Sequence, residues 1–421
     1  MRSLLLFLSS ALFTGQAFAQ GTWTTLNIPP SGRHDAVFFI NDTGGWAAGG
    51  PAGTIRRTED GGATWDLQYT SGQYLRSIEF IDAQHGYCGS LSGSLFRTVD
   101  GGATWTDVAP LITPQPPGIC GLSAPAPTTI YGVGLWASPA YVVKSSDGGF
   151  SWSFINMGAH ATALVDVHFI SADTGFVTGT AAPAGNGGVI LYTTDGGLSW
   201  QPKHFTGVTS DIVWKIQRLD ADHWYASVYS EPMNDDTRLL RSTDGGQTWS
   251  TIVAANSYTY VEVVGFMDTL QGWVGGGNLL YGTTDGGLTW ALETVGNNYN
   301  RFFRLNDSLA YMSGTYIYKY SRDIGTGTNA AVAAPEYHAL SATPTITDGP
   351  LIVVLRLDRS TIADLSVLRA DGGLVRRLLH AHSALGEHSF SVDLAQEAPG
   401  TYTVVLKTNE GLRYVKVVVE R

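Results

Sequence analysis

The chain has 421 residues and a formal net charge of −11, and charged residues make up 14% of it, against roughly 25% in an average soluble protein. It contains 51 glycines, and 11% of its residues are aromatic. The length exceeds what one ordinary core spans, so we expect two or more folded units. The acidic charge disfavours a nucleic acid partner, and the glycine and aromatic content favours many short strands joined by tight turns.

The N-terminal segment carries the features of an export signal. Met1-Arg2 is a basic start, an apolar run extends from Leu4 to Phe13, and Ala17-Phe18-Ala19 is a cleavage motif. We therefore predict a signal peptide over residues 1–19. The alternative is a membrane anchor, but this run is shorter than the ~20 residues that span a bilayer. No later segment is predicted to cross a membrane.

One eight-residue motif recurs six times, and its first copy runs from Thr58 to Trp65. Every copy keeps Asp-Gly-Gly, a Ser or Thr before the Trp, and the Trp itself. The motif aspartates are separated by 40, 47, 48, 49 and 41 positions, the spacing of four-stranded propeller blades at ~40–50 residues each. We predict a structural role for them, because a carboxylate beside two glycines can accept hydrogen bonds from turn amides. They are Asp60, Asp100, Asp147, Asp195, Asp244 and Asp285.

A second element precedes each motif and consists of an apolar strand, a polar turn and a Gly-aromatic step. It occurs seven times, first as residues 38–41 followed by Gly45-Trp46. The seventh repeat ends near residues 318–323 without a Trp, and Gly21-Thr22-Trp23 resembles the end of a motif that has no beginning. The pattern predicts an all-β, seven-bladed β-propeller over residues 20–323, in which an N-terminal strand completes the last blade and removes its open edges.

The motif resembles the Asp-box, or sialidase-type, repeat. Over about residues 21–323 the full pattern is similar to the propeller family of the photosystem II stability and assembly factor. That resemblance implies a seven-bladed propeller. It implies no particular activity, because the Asp box resembles a structural feature shared by sialidases, other glycosidases and non-catalytic propellers.

Beyond the repeats we predict a linker over residues 324–338 and a small C-terminal β-sandwich over residues 339–421. Three segments resemble the sorting domain of type IX secretion cargo: Pro399 to Val405, the turn from Ala370 to Val375, and Lys416 to Val419. The resemblance implies secretion machinery as a partner and release to the surface or medium of a Gram-negative bacterium. An ordinary β-sandwich is the alternative, and cleavage of this domain after export is left open.

The blade connections and middle hairpins share one face of a propeller, and this face varies among the repeats, as binding loops do. Its hairpins are long at residues 135–140, 180–188 and 230–238. Aromatic and polar residues beside the channel suit a glycan, peptide or protein ligand, although the tyrosines and the Trp could instead pack between blades. The candidate contacts are His34, Tyr74, Arg76, Trp214, Tyr260, Glu262, Tyr299 and Arg301.

Two functions remain from the sequence. The first is an exported, non-catalytic binding scaffold, and the alternative is a secreted glycoside hydrolase of the Asp-box propeller kind. A hydrolase needs two carboxylates ~5–10 Å apart, which equivalent aspartates on separate blades do not provide, so we predict no catalytic residue. We predict no metal or cofactor either, because no ligand set has a recognisable spacing. Cys88 and Cys120 could form a disulfide or remain two buried thiols.

Overall fold

The computed structural model describes residues 21–135, 138–230, 236–322, 338–344, 346–357, 361–369, 374–383, 386–408 and 411–420. Its contacts divide the chain into two compact units, Met1–Thr326 and Gly327–Arg421. The predicted signal peptide over residues 1–19, residues 324–337 of the predicted linker and parts of two predicted hairpin loops lie outside the described residues. Within them, the helical elements are two short 3-10 turns, Ala109–Leu111 and Ala184–Asn186, and no helix has the length and apolar character to cross a membrane.

The described part of the first unit consists of short strands. They are β1 (Thr22–Thr25), β2 (His34–Phe39), β3 (Gly45–Gly49), β4 (Thr54–Thr58), β5 (Asp66–Thr70), β6 (Leu75–Phe80), β7 (Gly86–Ser90), β8 (Leu95–Thr98), β9 (Thr106–Asp107), β10 (Gly121–Ala126), β11 (Thr129–Val133), β12 (Tyr141–Ser145), β13 (Ser153–Asn156), β14 (Ala161–Phe169), β15 (Gly175–Ala181), β16 (Gly188–Thr193), β17 (Gln201–Phe205), β18 (Asp211–Arg218), β19 (Trp224–Ser230), β20 (Thr237–Ser242), β21 (Ser250–Ala255), β22 (Val263–Phe266), β23 (Gly272–Gly276), β24 (Leu279–Thr283), β25 (Ala291–Glu293), β26 (Phe302–Arg304), β27 (Leu309–Ser313) and β28 (Ile317–Ser321).

These strands form seven four-stranded antiparallel sheets among the described residues. Sheets 1 to 6 take four consecutive strands each, from β2–β5 to β22–β25, and sheet 7 combines β26–β28 with β1. The first strand of each sheet contacts the first strand of the next, and β26 returns to contact β2. The sheets therefore form a closed β-propeller around a central channel, and the predicted all-β propeller fold is confirmed.

The N-terminal strand is the outer strand of sheet 7. Trp23 of β1 pairs with Tyr320 of β28, and Thr25 pairs with Tyr318. This is the pairing that the incomplete Gly21-Thr22-Trp23 motif predicts. It joins the two ends of the repeat array within one sheet and leaves β28 paired along both of its edges.

Neighbouring sheets pack through stacked aromatic rings. Phe39 of sheet 1 stacks on Tyr311 of sheet 7 with ring centroids 3.5 Å apart, and Trp46 of sheet 1 stacks on Phe80 of sheet 2 at 3.6 Å. Gly45 lies opposite Phe39, and a Cβ there would approach the Phe39 ring to 2.5 Å. The Gly-aromatic step is thus explained by packing, since the Gly leaves room for one ring while the next residue supplies another.

The Asp-Gly-Gly turns are closed by their own side chains. Asp60 Oδ1 accepts hydrogen bonds from the Thr64 amide at 2.9 Å and the Thr58 hydroxyl at 2.8 Å, and Oδ2 accepts one from the Thr64 hydroxyl at 2.6 Å. The two glycines that follow have φ of 73° and 94°, which other residues rarely adopt. The Trp65 indole then donates to the Gly62 carbonyl at 3.1 Å. The same carboxylate contacts recur at Asp100, Asp147, Asp195, Asp244 and Asp285.

The described strands of the second unit form two sheets. The strands are β29 (His338–Thr343), β30 (Ile346–Thr347), β31 (Pro350–Leu357), β32 (Thr361–Arg369), β33 (Leu374–Ser383), β34 (Gly386–Asp393), β35 (Gly400–Thr408) and β36 (Gly411–Val419). A three-stranded sheet has the order β29-β31-β34, and a five-stranded sheet has the order β30-β36-β35-β32-β33. Val353 and Leu355 of the first sheet share one buried core with Leu365 and Val404 of the second. Because both sheets contribute to this core, the predicted C-terminal β-sandwich is confirmed.

Candidate functional site

A cavity of about 440 Å³ lies at one end of the propeller channel and is called the mouth cavity here. Its walls come from residues before or within the first halves of the first strands, from the end of the second strand β19 and from hairpins between second and third strands. In an antiparallel sheet these positions lie at the same end, so the mouth cavity opens on the face of the variable loops. It is lined by Arg33, Tyr74, Arg76, Trp214, Tyr229, Tyr260 and Glu262, with Leu91, Leu135, Gly277 and Asn298.

Three aromatic side chains form one wall, which we call the aromatic ladder: Trp214, Tyr229 and Tyr260. Trp214 stacks on Tyr229 with ring centroids 4.9 Å apart, and Tyr229 stacks on Tyr260 at 5.9 Å. Trp214 is buried, whereas Tyr260 is 48% exposed. The ladder therefore runs from the protein interior to solvent and leaves an aromatic face open at its outer end.

Two arginines and two carboxylates form an ion-pair network beside the ladder, which we call the mouth cluster: Arg33, Asp35, Arg76 and Glu262. Arg33 contacts Asp35 at 2.7 Å and Glu262 at 2.5 Å. Arg76 pairs with the same Asp35 oxygen and lies 3.7 Å from Glu262. Its guanidinium also lies over the Trp214 ring, 5.5 Å from the centroid. The two positive and two negative charges balance, so the cluster is neutral as a whole.

The protonation of these groups follows from their surroundings. Burial by itself lowers the pKa of Arg33 and of Arg76, but the carboxylates of Asp35 and Glu262 outweigh burial and leave both pKa values above the ordinary one. Burial, reinforced by Asp35, raises the pKa of the Tyr74 hydroxyl. At neutral pH the cavity therefore presents charged guanidinium groups and a protonated phenol, which can donate hydrogen bonds to a ligand.

The structure brings five of the eight predicted contact residues to this cavity: Tyr74, Arg76, Trp214, Tyr260 and Glu262. The other three lie elsewhere. His34 is fully buried, its ring contacts Ser31 Oγ at 3.4 Å and the Pro29 carbonyl at 3.3 Å, and burial lowers its pKa to about 4.

Tyr299 is also fully buried, and its hydroxyl accepts a hydrogen bond from the Gly296 amide at 2.6 Å. It packs against Tyr318 in the core between sheets 6 and 7, so it stabilises the packing of these sheets rather than lining the mouth cavity. Arg301 lines a different cavity, described next.

A second cavity of about 170 Å³ lies towards the other end of the channel and is called the turn-side cavity. Its walls come mainly from the later residues of the first strands. These residues lie at the same end of the sheets as the Asp-Gly-Gly turns. A small space of about 10 Å³ lies between the two cavities. It shares Arg76 with the mouth cavity, and it shares Lys215 and Arg301 with the turn-side cavity. Side chains therefore fill the middle of the channel.

The turn-side cavity is also lined by polar residues that were not predicted from the sequence, among them Asp166, His168, Lys215 and Gln217. A signal for them exists in the sequence. Asp166 and His168 are two positions apart on β14, and so are Lys215 and Gln217 on β18. Residues two positions apart share one face of a strand. The channel face of β14 and β18 is thus polar, while their neighbouring residues enter the core.

The six motif aspartates line neither cavity. The Ser or Thr four residues after each aspartate donates hydrogen bonds from its hydroxyl and its amide to the carboxylate. These bonds hold the pKa of each carboxyl at about 2. Both carboxylate oxygens are thus engaged within the turn. Cys88 and Cys120 are buried free thiols, and the described residues contain no cluster of His, Cys, Asp and Glu suited to a metal ion.

Comparisons with known proteins agree with the fold. The family model described as photosynthesis system II assembly factor YCF48 matches residues 145–259. The structure described as YCF48 bound to D1 peptide is 17% identical, with a TM-score of 0.56, over 73% of this chain and 99% of that chain. YCF48 from Cyanidioschyzon merolae is 18% identical, with a TM-score of 0.56, over 71% and 98% of the two chains.

A third structure extends beyond the propeller. PorZ of Porphyromonas gingivalis, described as a bacterial surface component of the type IX secretion system, is 13% identical, with a TM-score of 0.50, over 91% of this chain and 59% of that chain. No curated protein matches the sequence significantly. At these identities the structural likenesses show the fold, and the chain is a β-propeller that resembles the photosystem II assembly factor.

Proposed function

We propose that the chain is an exported, non-catalytic propeller that binds an extended peptide segment of a partner protein in the mouth cavity. The observation that carries the proposal is the aromatic ladder, which ends at the half-exposed Tyr260 beside the neutral mouth cluster. Aromatic side chains give a large contact area and lose little conformational freedom on binding.

The size and chemistry of the cavity suit a peptide. Its volume of about 440 Å³ falls in the range of roughly 300–1,000 Å³ that is usual for ligand pockets. The indole N–H of Trp214 is buried and has no acceptor among the described residues. A peptide carbonyl could accept from such groups, and its amides could donate to Glu262. The similar fold of YCF48, whose structure is described as bound to a D1 peptide, supports this reading.

A matched pair of variants tests the binding proposal on the full chain. Tyr260 lines the mouth cavity, whereas Tyr316 lies in the hairpin between β27 and β28 on the same face, is 36% exposed and does not line the cavity. Peptides selected from a random displayed library are measured by calorimetry. We expect Tyr260→Ala to weaken binding about tenfold and Tyr316→Ala to leave it unchanged.

Two results would overturn the proposal: the library yields no peptide that binds above background, or both tyrosine variants lose affinity equally. A glycan array and a reducing-sugar release assay on the same preparation test the glycan ligand and the glycoside hydrolase. Sugar binding without peptide binding would indicate a glycan ligand, and release of sugar would indicate a glycoside hydrolase. Either result would overturn the proposal.

Export by a type IX-like route to the surface or medium of a Gram-negative bacterium belongs to the same proposal. It is supported by the signal-like residues 1–19, by the β-sandwich of the second unit and by the likeness to PorZ. The test is expression in a type IX-competent host with and without residues 339–421. We expect loss of the secreted fraction for the shortened chain, with soluble propeller retained in the periplasm. Equal secretion of both chains would contradict the route.

A further inference from the structure

The turn-side cavity has a charge unlike that of the protein around it. Its lining includes four cations, Lys215, Arg218, Arg301 and Arg304, and one buried aspartate, Asp166. The whole chain, in contrast, has a formal net charge of −11. A cavity with low-dielectric walls focuses such local charge and attracts ions of the opposite sign.

The other ionisable groups of the cavity do not cancel this charge. Burial raises the pKa of Glu79 to about 7, against the opposing effect of Arg301, so this carboxyl carries only part of a negative charge near neutral pH. Burial, reinforced by Arg301, lowers the pKa of His168 to about 4, so its imidazole is neutral. The cavity is therefore positively charged at neutral pH.

Two of the four cations are already engaged within the protein. Arg301 donates to Asp166 Oδ1 at 2.8 Å. Arg304 donates to the Met267 carbonyl at 3.0 Å and pairs with Asp307. These two arginines retain N–H groups, because a guanidinium has five donors.

The other two cations have weaker protein partners. Lys215 is 4% exposed, and its Nζ lies 3.8 Å from Asp166 Oδ1. The backbone amide of Lys215 donates to Ser227 Oγ, but its Nζ donates no hydrogen bond to a described residue. Arg218 forms no ion pair within the described part of the chain and lies over the Trp224 ring, 5.9 Å from the centroid. Burial lowers the pKa of both groups. A buried ammonium without hydrogen bonds is unfavourable, so an anionic acceptor in the cavity would stabilise the charged forms.

We propose that the turn-side cavity binds a tetrahedral oxyanion of the phosphate or sulfate class, with Lys215 and Arg218 as its principal ligands. The cavity volume of about 170 Å³ is more than five times the ~30 Å³ that one water occupies in the liquid, so the five heavy atoms of such an anion have room. Its oxygens match the donor geometry of guanidinium and ammonium groups. Arg301 and Arg304 line the same space and can donate with their remaining N–H groups.

The test uses the full chain and inorganic phosphate at constant ionic strength, with chloride as the balancing anion. We expect phosphate to raise the unfolding temperature with a saturable dependence on its concentration. Arg218→Gln should weaken the apparent affinity about tenfold, as should Lys215→Gln. Arg57→Gln is the matched control, because Arg57 lines neither channel cavity and pairs with Glu59 at 2.9 Å. A rise that does not saturate, or equal weakening by all three variants, would overturn the proposal.

The position and the source of the anion have their own measurements. In a crystal soaked in selenate, the selenium anomalous peak should lie within hydrogen-bond distance of Lys215 and Arg218, and a peak confined to other places would refute the site. A sugar phosphate titrated in parallel separates a free anion from a phosphoryl group on a larger ligand. Binding of both compounds or of either one supports the shared chemistry, and binding of neither refutes it. Loss of peptide binding in the mouth cavity would not affect these outcomes.

Discussion

Trp23 lies opposite Tyr320 in the outer strand pair of sheet 7, with ring centroids 5.2 Å apart. Its indole also packs edge-on against Trp273 of sheet 6 at 5.1 Å. The N-terminal strand therefore contributes to the interface between the last two sheets as well as to the hydrogen bonding of sheet 7.

We expect Trp23→Ala to lower the free energy of unfolding by about 3 kcal/mol, because removing a packed aromatic side chain leaves a cavity. Thr24→Ala is the control, since Thr24 is exposed on the same strand. Urea denaturation followed by circular dichroism measures both. Equal, small effects would show that β1 does not stabilise the ring.

The Asp-Gly-Gly turns should lose their stabilising effect in acid. Hydrogen bonds from the side chain and amide of Thr104 hold the pKa of Asp100 at about 2, below its ordinary value of 3.8. A lowered carboxyl pKa stabilises the fold above pH 3.8 and loses that effect as the pH falls through 2. We expect Asp100→Asn to lower the unfolding temperature at pH 7, by an amount that shrinks between pH 4 and pH 2.

The control for this prediction is Asp66→Asn, because Asp66 is exposed on β5 and lies outside the turn. Thermal unfolding from pH 2 to pH 7 gives the difference between each variant and the original chain. A difference for Asp100→Asn that stays constant down to pH 2 would contradict the role assigned to the ionised carboxylate.

Glu79 gives the opposite pH dependence. Burial raises its pKa from 4.5 to about 7, although Arg301 acts in the other direction. A raised carboxyl pKa contributes stability that is present below pH 4.5 and is lost as the pH rises through 7. Glu79→Gln removes this dependence, so its unfolding temperature relative to the original chain should rise between pH 4.5 and pH 8.

Glu59→Gln serves as the control for Glu79, since the Glu59 side chain is 74% exposed and pairs with Arg57 at the surface. The same thermal measurement is made across this pH range for both variants. If the two variants behave alike, the Glu79 carboxyl does not experience the buried environment of the turn-side cavity.

The two cysteines should be unreactive in the folded protein. Both thiols are buried and free, and burial raises the pKa of Cys88, so little of the nucleophilic thiolate forms. We expect Ellman's reagent to label neither thiol in the native chain and both in guanidinium chloride without reductant. Absence of labelling in the denatured chain would instead indicate a disulfide.

Much of the fold could be predicted from the sequence because its determinants are local and repeated. The spacing of Asp60 and its equivalents predicts the number of residues in a blade. The glycines that follow each of these aspartates adopt the positive φ that the turn requires. Even the closure by Trp23 was visible, since an incomplete motif at one end matched the missing part at the other. Such signals are short motifs that repeat along the chain, so copies can be compared with one another without tertiary information.

The ion pairs across the channel, in contrast, were decided by tertiary structure. Arg33 and Glu262 are 229 positions apart, and Arg301 and Asp166 are 135 apart, yet each pair meets across the channel. The first strands also contain register shifts, one of them between Leu164 and Asp166. A shift of one residue exchanges the two faces of a strand. The sequence by itself therefore determined the blades and their order, while ring closure and these irregularities decided which side chains face the channel.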